Sequence, residues 1–348
     1  LWPRRAVEHA RTALDAPRSR AGTLATMQPI LGEVQHYAWG DDSWLPDFLG
    51  LPRDGRPWAE WWLGTHPNGP SRLADGTPLE AVSGPLPYLL KVLAVASPLS
   101  MQVHPDAEQA KAGYARGAYP DDRAKPELIV AITPFEALCG LRPAEASVTL
   151  LRSLGADRLA DAVERDGPGE TARRCLRGDH AVGPVVDACR SSARPEARWV
   201  VELDDLYPSE PSVLVALLLN QVSLDPGQAL RLDAGHLHAD LRGTGVELMN
   251  ASDNVVRAGL TPKPVDVDEV LAIFDPTPLD EPQIPASTRY DLPAADVSLH
   301  RLVAGDPHES TGHELAFDDG GRAWYLPPGD RAGFERDAWV VTHGSAAV

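Results

Sequence analysis

The chain has 348 residues, 43% of them hydrophobic, with a formal charge of -18 and a pI near 5.0. That length and apolar content can bury a substantial core, in one large domain or in two to three smaller ones. The acidic field argues against nucleic acid or an anionic membrane as the main partner, since both would be repelled, and a site for an anionic substrate then needs its own local Lys and Arg.

In chain order, residues 1–26 are Arg-rich and lack the apolar centre of a secretory signal. Met27 resembles a natural start, so this segment is expected to be an upstream extension or disordered tail. From Gln28 to Pro143, short apolar runs such as LPYLLKVLAVASPL and ELIVAITPFEALCGL are punctuated by Gly and Pro, which reads as mainly β. Residues 27–143 and 213–275 are expected to form one barrel, interrupted at 144–212 by a helical insert, where SVTLLRSLGADRLADAVERDG places apolar residues three and four apart. Strands resume from Ser212, with a DPG turn between two of them. VDVDEVLAIFD reads as a short helix, residues 276–289 as a proline-rich linker, and residues 290–348 as further strands that include DVSLHRLVA and AWVVTHGS.

Cys139, Cys175 and Cys189 are odd in number and widely spaced, which suggests neither a disulfide framework nor a thiolate zinc site. A reducing cytoplasm fits them. No run of about 18 apolar residues is present to span a bilayer.

Three segments supply metal-type ligands. In MQVHP, strand alternation would turn Gln102 and His104 to one face; KPELIV offers Glu127, and AGHLHAD offers His236 and His238, again two apart. Oxygen and imidazole donors without thiolate suit Zn, Mn, Fe or Ni about equally. Taken singly, each residue also has a structural reading: a turn or core histidine beside a proline, or a solvated glutamate at a strand start. The residues alone therefore describe a mainly β protein with a candidate mononuclear metal site.

Five ordered segments, YAWG (37–40), AEWWLGTHPNGPS (59–71), YLLKVLAVASPLSMQVHP (88–105), KPE (125–127) and AGHLHADLRGTGVELMNASDNVVRAGLTPK (234–263), resemble the type I mannose-6-phosphate isomerase family. The resemblance implies cupin (jelly-roll) barrels with a helical insert and a second C-terminal barrel. It also implies one Zn2+ per chain, interconversion of mannose 6-phosphate and fructose 6-phosphate through an enediol or enediolate, and a cytoplasmic monomer whose partner is a small sugar phosphate. Carried over residue by residue, the metal ligands are Gln102, His104, Glu127 and His238. The family's active-site arginine falls on Arg257, and the substrate pocket draws on Lys91, Ser100, Lys263, His66, Glu60 and Trp39. Lys125, two residues before Glu127 and so on the same face if the strand extends to it, is the second catalytic candidate, for acid-base or phosphate work. His236 falls outside the motif and is expected to act behind the ligands.

One carboxylate among neutral ligands leaves a zinc site near plus one in charge, so the metal stays a Lewis acid. The basic residues Lys91, Lys125, Arg257 and Lys263 offset the acidic surface around a dianionic phosphate. Two departures stand out: Asp240 replaces the family's usual Tyr, and from about Asp306 onward the match fades, which raises the expectation of an incomplete final barrel with exposed strand edges. Two other functions stay open on these residues: a catalytically weak sugar-phosphate-binding relative, and another cupin metalloenzyme such as a non-haem iron oxygenase.

Overall fold

The computed structural model describes residues 27–344, so the expected N-terminal extension lies outside the described residues. The chain forms two compact units: one of residues up to Ala94, Gly245–Ala251 and Ala286 onward, the other of Val95–Thr244 and Ser252–Pro285. It is mainly β with a helical stretch, as the apolar patterning indicated. The units cut the chain elsewhere than the barrel boundaries read from the sequence, because strands distant in sequence pair with one another.

The first unit contains a seven-stranded sheet, in the order Arg289–Leu292, Val297–Leu302, Ala338–His343, Glu314–Asp318, Ala323–Leu326, Gln28–Leu31 and Arg72–Leu73. Every neighbour in it is antiparallel. Ala338–His343 is paired on both sides, with Leu299 and Leu315 both opposite Val341. The last described strand is therefore interior to the sheet, whose outer strands are Arg289–Leu292 and Arg72–Leu73. Gln28 lies opposite Tyr325, so the earliest described strand completes a sheet built from the C-terminal segment.

In the same unit, Glu33–Gln35, Glu60–Leu63 and Tyr88–Val95 form an antiparallel ladder. Residues Glu60–Leu63, EWWL, are buried on both faces, which accounts for a continuous run with no polar alternation. Trp61 packs edge-on against Phe317, ring centroids 5.7 Å apart, and Phe48 meets both.

The second unit carries the strands Met101–Val103, Glu127–Ala131, Phe135–Leu141, Leu219–Leu224, Ala229–Leu232 and Val256–Gly259, with the start of His238–Asn250. The DPG turn does join two strands, but they pair with different neighbours. Leu219–Leu224 lies on Phe135–Leu141, and Ala229–Leu232 lies on Glu127–Ala131.

Five helices follow Pro143: Ala144–Ser153, Asp157–Leu176, Gly183–Arg190, Pro195–Leu206 and Ser212–Ala216. Their apolar stripes, including Leu150, Leu151, Leu159, Val163, Trp199 and Leu203, share one core with Met101 and Val103 from a strand and with Leu237 just ahead of another. Asp157–Leu176 is kinked at Gly167, where φ is 81°; only glycine takes that value without strain, and Pro168 then opens the second half as a first-turn proline. Val267–Ile273 is the expected short helix, capped by the Asp266 carboxylate on the Glu269 amide.

Candidate metal centre

The site is assembled from the cross-strand register of the second unit. Gln102 lies opposite His238 on one side and Arg257 on the other. Directly opposed residues share a face, so three strands contribute Gln102, His238 and Arg257 to one row. His104 stands just past the end of Met101–Val103, and Glu127 opens its own strand, opposite Leu232.

These residues converge. Oε2 of Glu127 is 3.3 Å from Nε2 of His104 and 3.5 Å from Nε2 of His238, all three residues being buried. The two imidazole centroids are 4.9 Å apart. One ligand atom from each of the three lies within 4.8 Å of the others, and no other such set is found among the described residues.

Hydrogen bonding sets the direction of each ring. Nδ1 of His104 lies 2.8 Å from the Asn254 carbonyl, and Nδ1 of His238 lies 3.0 Å from the His236 carbonyl. A carbonyl only accepts, so each Nδ1 carries the proton and each Nε2 turns a lone pair inward. Nε2 of His104 is buried and, among the described residues, has no hydrogen-bond partner. Two inward lone pairs beside a carboxylate, with no proton between them, fit a bound cation such as zinc.

The charge states agree with that geometry. Burial first, and then the neighbouring His104, hold the His238 imidazole down at about 4; burial likewise lowers His104. For Glu127, burial alone would raise the carboxyl, but Lys125 and then the two imidazoles hold it well below the usual range. At neutral pH the site therefore presents two neutral imidazoles and one carboxylate, the forms that bind metal without first releasing protons.

Lys125 precedes the strand rather than lying on it, yet its Nζ reaches Oε1 of Glu127 at 2.7 Å, and both groups are buried. The two carboxylate oxygens are thereby divided, Oε1 to the ammonium and Oε2 to the imidazoles. Arg257 is half-buried, and among the described residues no carboxylate lies within salt-bridge distance of it. Ser100 sits in the loop entering Met101–Val103, and Lys263 is exposed in the turn after Val256–Gly259. His236 lies in a turn, so it serves His238 through its backbone carbonyl; the alternation that would have aimed both rings inward does not operate, because the strand begins only at His238. Asp240 is buried two residues beyond His238 and outside the metal-type set; after burial, its charge is the next cause holding the Cys139 thiol up at about 12.

The remaining candidates belong to the first unit, and three of them, Glu60, His66 and Lys91, gather around a residue that sequence reasoning missed, Trp62. Its indole N–H donates to Glu60, its ring meets His66 edge-on at 5.2 Å, and Lys91 Nζ lies 5.3 Å from its centre. Trp62 and Lys91 are cross-strand partners. Lys91 is paired at 2.7 Å with Glu247, a second missed residue, and both are buried. An acidic residue inside the apolar run VELM was the signal available for Glu247. Trp39 is half-buried beside Tyr37, with centroids 5.7 Å apart.

Comparison with known proteins gives a consistent picture. The family model for the phosphomannose isomerase type I catalytic domain matches residues 27–84 and 77–144. The mannose-6-phosphate isomerase of Salmonella typhimurium is 34% identical over 336 residues, spanning 80% of this chain and 84% of that protein. The Rattus norvegicus mannose-6-phosphate isomerase is 30% identical over 345 residues, spanning 79% and 81%. Among solved structures, the apo form of the Salmonella typhimurium enzyme matches with a TM-score of 0.78 at 27% identity, covering 92% of this chain and 100% of that one. The same enzyme bound to its substrate and to zinc matches at 0.74, with the same coverage.

Proposed function

The chain belongs to the type I phosphomannose isomerase family, and from that premise we propose how its own residues carry the family's reaction. It is a metal-dependent isomerase that interconverts mannose 6-phosphate and fructose 6-phosphate, and it takes one Zn2+. The observation that carries the reading is the convergence of His104, Glu127 and His238 on one point, with both Nε2 lone pairs inward.

His104, Glu127 and His238 hold the metal, with the Gln102 amide, in register beside His238, as the fourth ligand. Zinc bound there supplies a Lewis acid that polarises the sugar's oxygens. The isomerisation itself moves a proton from C2 to C1 of the open-chain aldose, while the C1 oxygen gains a proton and the C2 hydroxyl loses one. Negative charge develops on oxygen in the enediolate between these states. Arg257, half-buried on the same row and, among the described residues, without a carboxylate partner, stabilises that charge. Lys125 is fixed by Glu127 and serves as a proton-handling group beside it.

Lys91, Ser100, Lys263, His66, Glu60 and Trp39 are assigned to substrate binding in this reading. Lys263, exposed and, among the described residues, without a carboxylate partner, supplies positive charge for the phosphate in a chain whose net charge is -18. The enzyme works as a cytoplasmic monomer. Its three described cysteines are free and buried, as suits a reducing compartment, and no helix among the described residues is long and apolar enough to cross a membrane.

The test is a coupled assay for fructose 6-phosphate formed from mannose 6-phosphate by metal-stripped protein, with and without added zinc. Turnover that returns with one zinc per chain, and fails to return in His238→Ala, is the expected result. Equal turnover in the stripped protein would sink the reading.

A further inference from the structure

Neither the ligand set nor the proton-handling residues account for the way residues 252–254 knot onto residues 121–123. We propose that Asp121 and Asn254 are positioning residues for the metal centre: they fix the direction of the His104 ring and the placement of the segment carrying Lys125 and Glu127, so zinc affinity depends on two residues that touch neither metal nor substrate. This inference rests on the reading of His104, Glu127 and His238 as ligands.

Asn254 is fully buried, at 0% exposure, and its backbone carbonyl is the acceptor for His104 Nδ1. Its carboxamide nitrogen donates to the backbone carbonyls of Asp121 at 2.9 Å and Arg123 at 2.8 Å, and lies 3.2 Å from Asp121 Oδ1. The Asp121 carboxylate completes the knot: Oδ1 accepts from Ser252 Oγ at 2.9 Å, and Oδ2 accepts from the Asp253 amide at 2.8 Å. One hydrogen-bonded unit thus holds the carbonyl that orients His104 and also anchors the chain just ahead of Lys125 and Glu127.

The residue types are those the task needs. A primary amide offers two N–H donors to two backbone carbonyls, which a serine, an aspartate or an alanine cannot do. A carboxylate with both oxygens engaged ties two successive residues of the opposing segment, with the added strength of charge-assisted bonds. A ring whose Nδ1–H is held presents Nε2 in one direction, and releasing such a partner typically weakens metal binding by about 10- to 100-fold.

The experiment measures zinc affinity by competition with a chromogenic chelator, on metal-stripped full-length protein, together with thermal unfolding of the metal-free form. Four variants are compared: Asp121→Ala, Asn254→Ala, Glu127→Gln and Trp199→Ala. The last removes a buried side chain of the helical core whose polar partners, Glu136, Arg198 and Arg242, are not part of the knot. The expected result is about 10- to 100-fold weaker zinc binding in Asp121→Ala and Asn254→Ala, with Trp199→Ala lowering the unfolding midpoint while keeping the parent's zinc affinity. If Asn254→Ala fails to fold, Asp121→Ala, which is only half-buried, decides the matter alone. Parent-like zinc affinity in Asp121→Ala overturns the proposal, as does an equal loss in Trp199→Ala, which would make the effect one of general destabilisation. Parent-like affinity in Glu127→Gln overturns the ligand reading itself, and that result is distinguishable because it needs no information from the knot variants.

Discussion

Acid should destabilise the metal-free protein through His238, and the size of the effect follows from its environment. Burial, reinforced by His104, holds this imidazole at about 4, against an ordinary value of 6.5. Between those values the unfolded chain binds a proton that the folded chain refuses, so stability rises with pH across the window. The contribution is fully present above pH 6.5 and is lost as pH falls toward about 4. A difference of about 2.5 pH units corresponds to about 3 kcal/mol in full, of which about 2 kcal/mol is already lost at about pH 5. Glu127 adds in the same direction, since its folded carboxyl is also held low, but it does so at lower pH. The assay is urea unfolding of metal-stripped protein at about pH 7.5 and about pH 5, in the parent and in His238→Gln, which cannot titrate there. The parent should lose about 2 kcal/mol more than the variant. Equal losses in the two proteins would refute the claim that a neutral, buried His238 underlies the acid sensitivity.

Arg257→Ala should cut kcat by about 100- to 1000-fold while zinc content stays at the parent level, measured by the coupled assay alongside metal analysis; loss of zinc instead would place Arg257 among the groups that hold the metal. Lys91→Met leaves the Glu247 carboxylate in a buried site without the ammonium beside it and should cost about 3–5 kcal/mol in urea unfolding, part of which the Lys91→Met, Glu247→Gln double variant recovers. No recovery would mean that the pair is not coupled. Trp199→Ala should cost about 3–5 kcal/mol, because the indole is almost fully buried, donates to Glu136 and is flanked by Arg198 and Arg242; a loss under about 1 kcal/mol would contradict its place in the helical core.

The donor types were legible in the sequence. His104, Glu127 and His238, which the fold brings together, were named from motif and residue chemistry, and so was the helical stretch after Pro143, because a 3.6-residue apolar period records which face of a helix is buried. Alternation was a less safe guide at the strand ends. It aimed His236 and Lys125 along strands that begin only at His238 and Glu127, and backbone geometry instead gave the first a carbonyl role and left the second to reach its carboxylate from outside the strand. Hydrogen-bond partners supplied from far along the chain could not be read at all. The acceptor for His104 comes from a residue 150 positions later, and the strand beginning at Gln28 finds its partner at Tyr325. A local pattern encodes what each side chain can do and which face it takes, whereas the register between distant strands fixes which lone pairs meet. By itself, then, the sequence determined the chemistry available to this protein, and only the tertiary structure decided that two imidazoles and a carboxylate should point at one another.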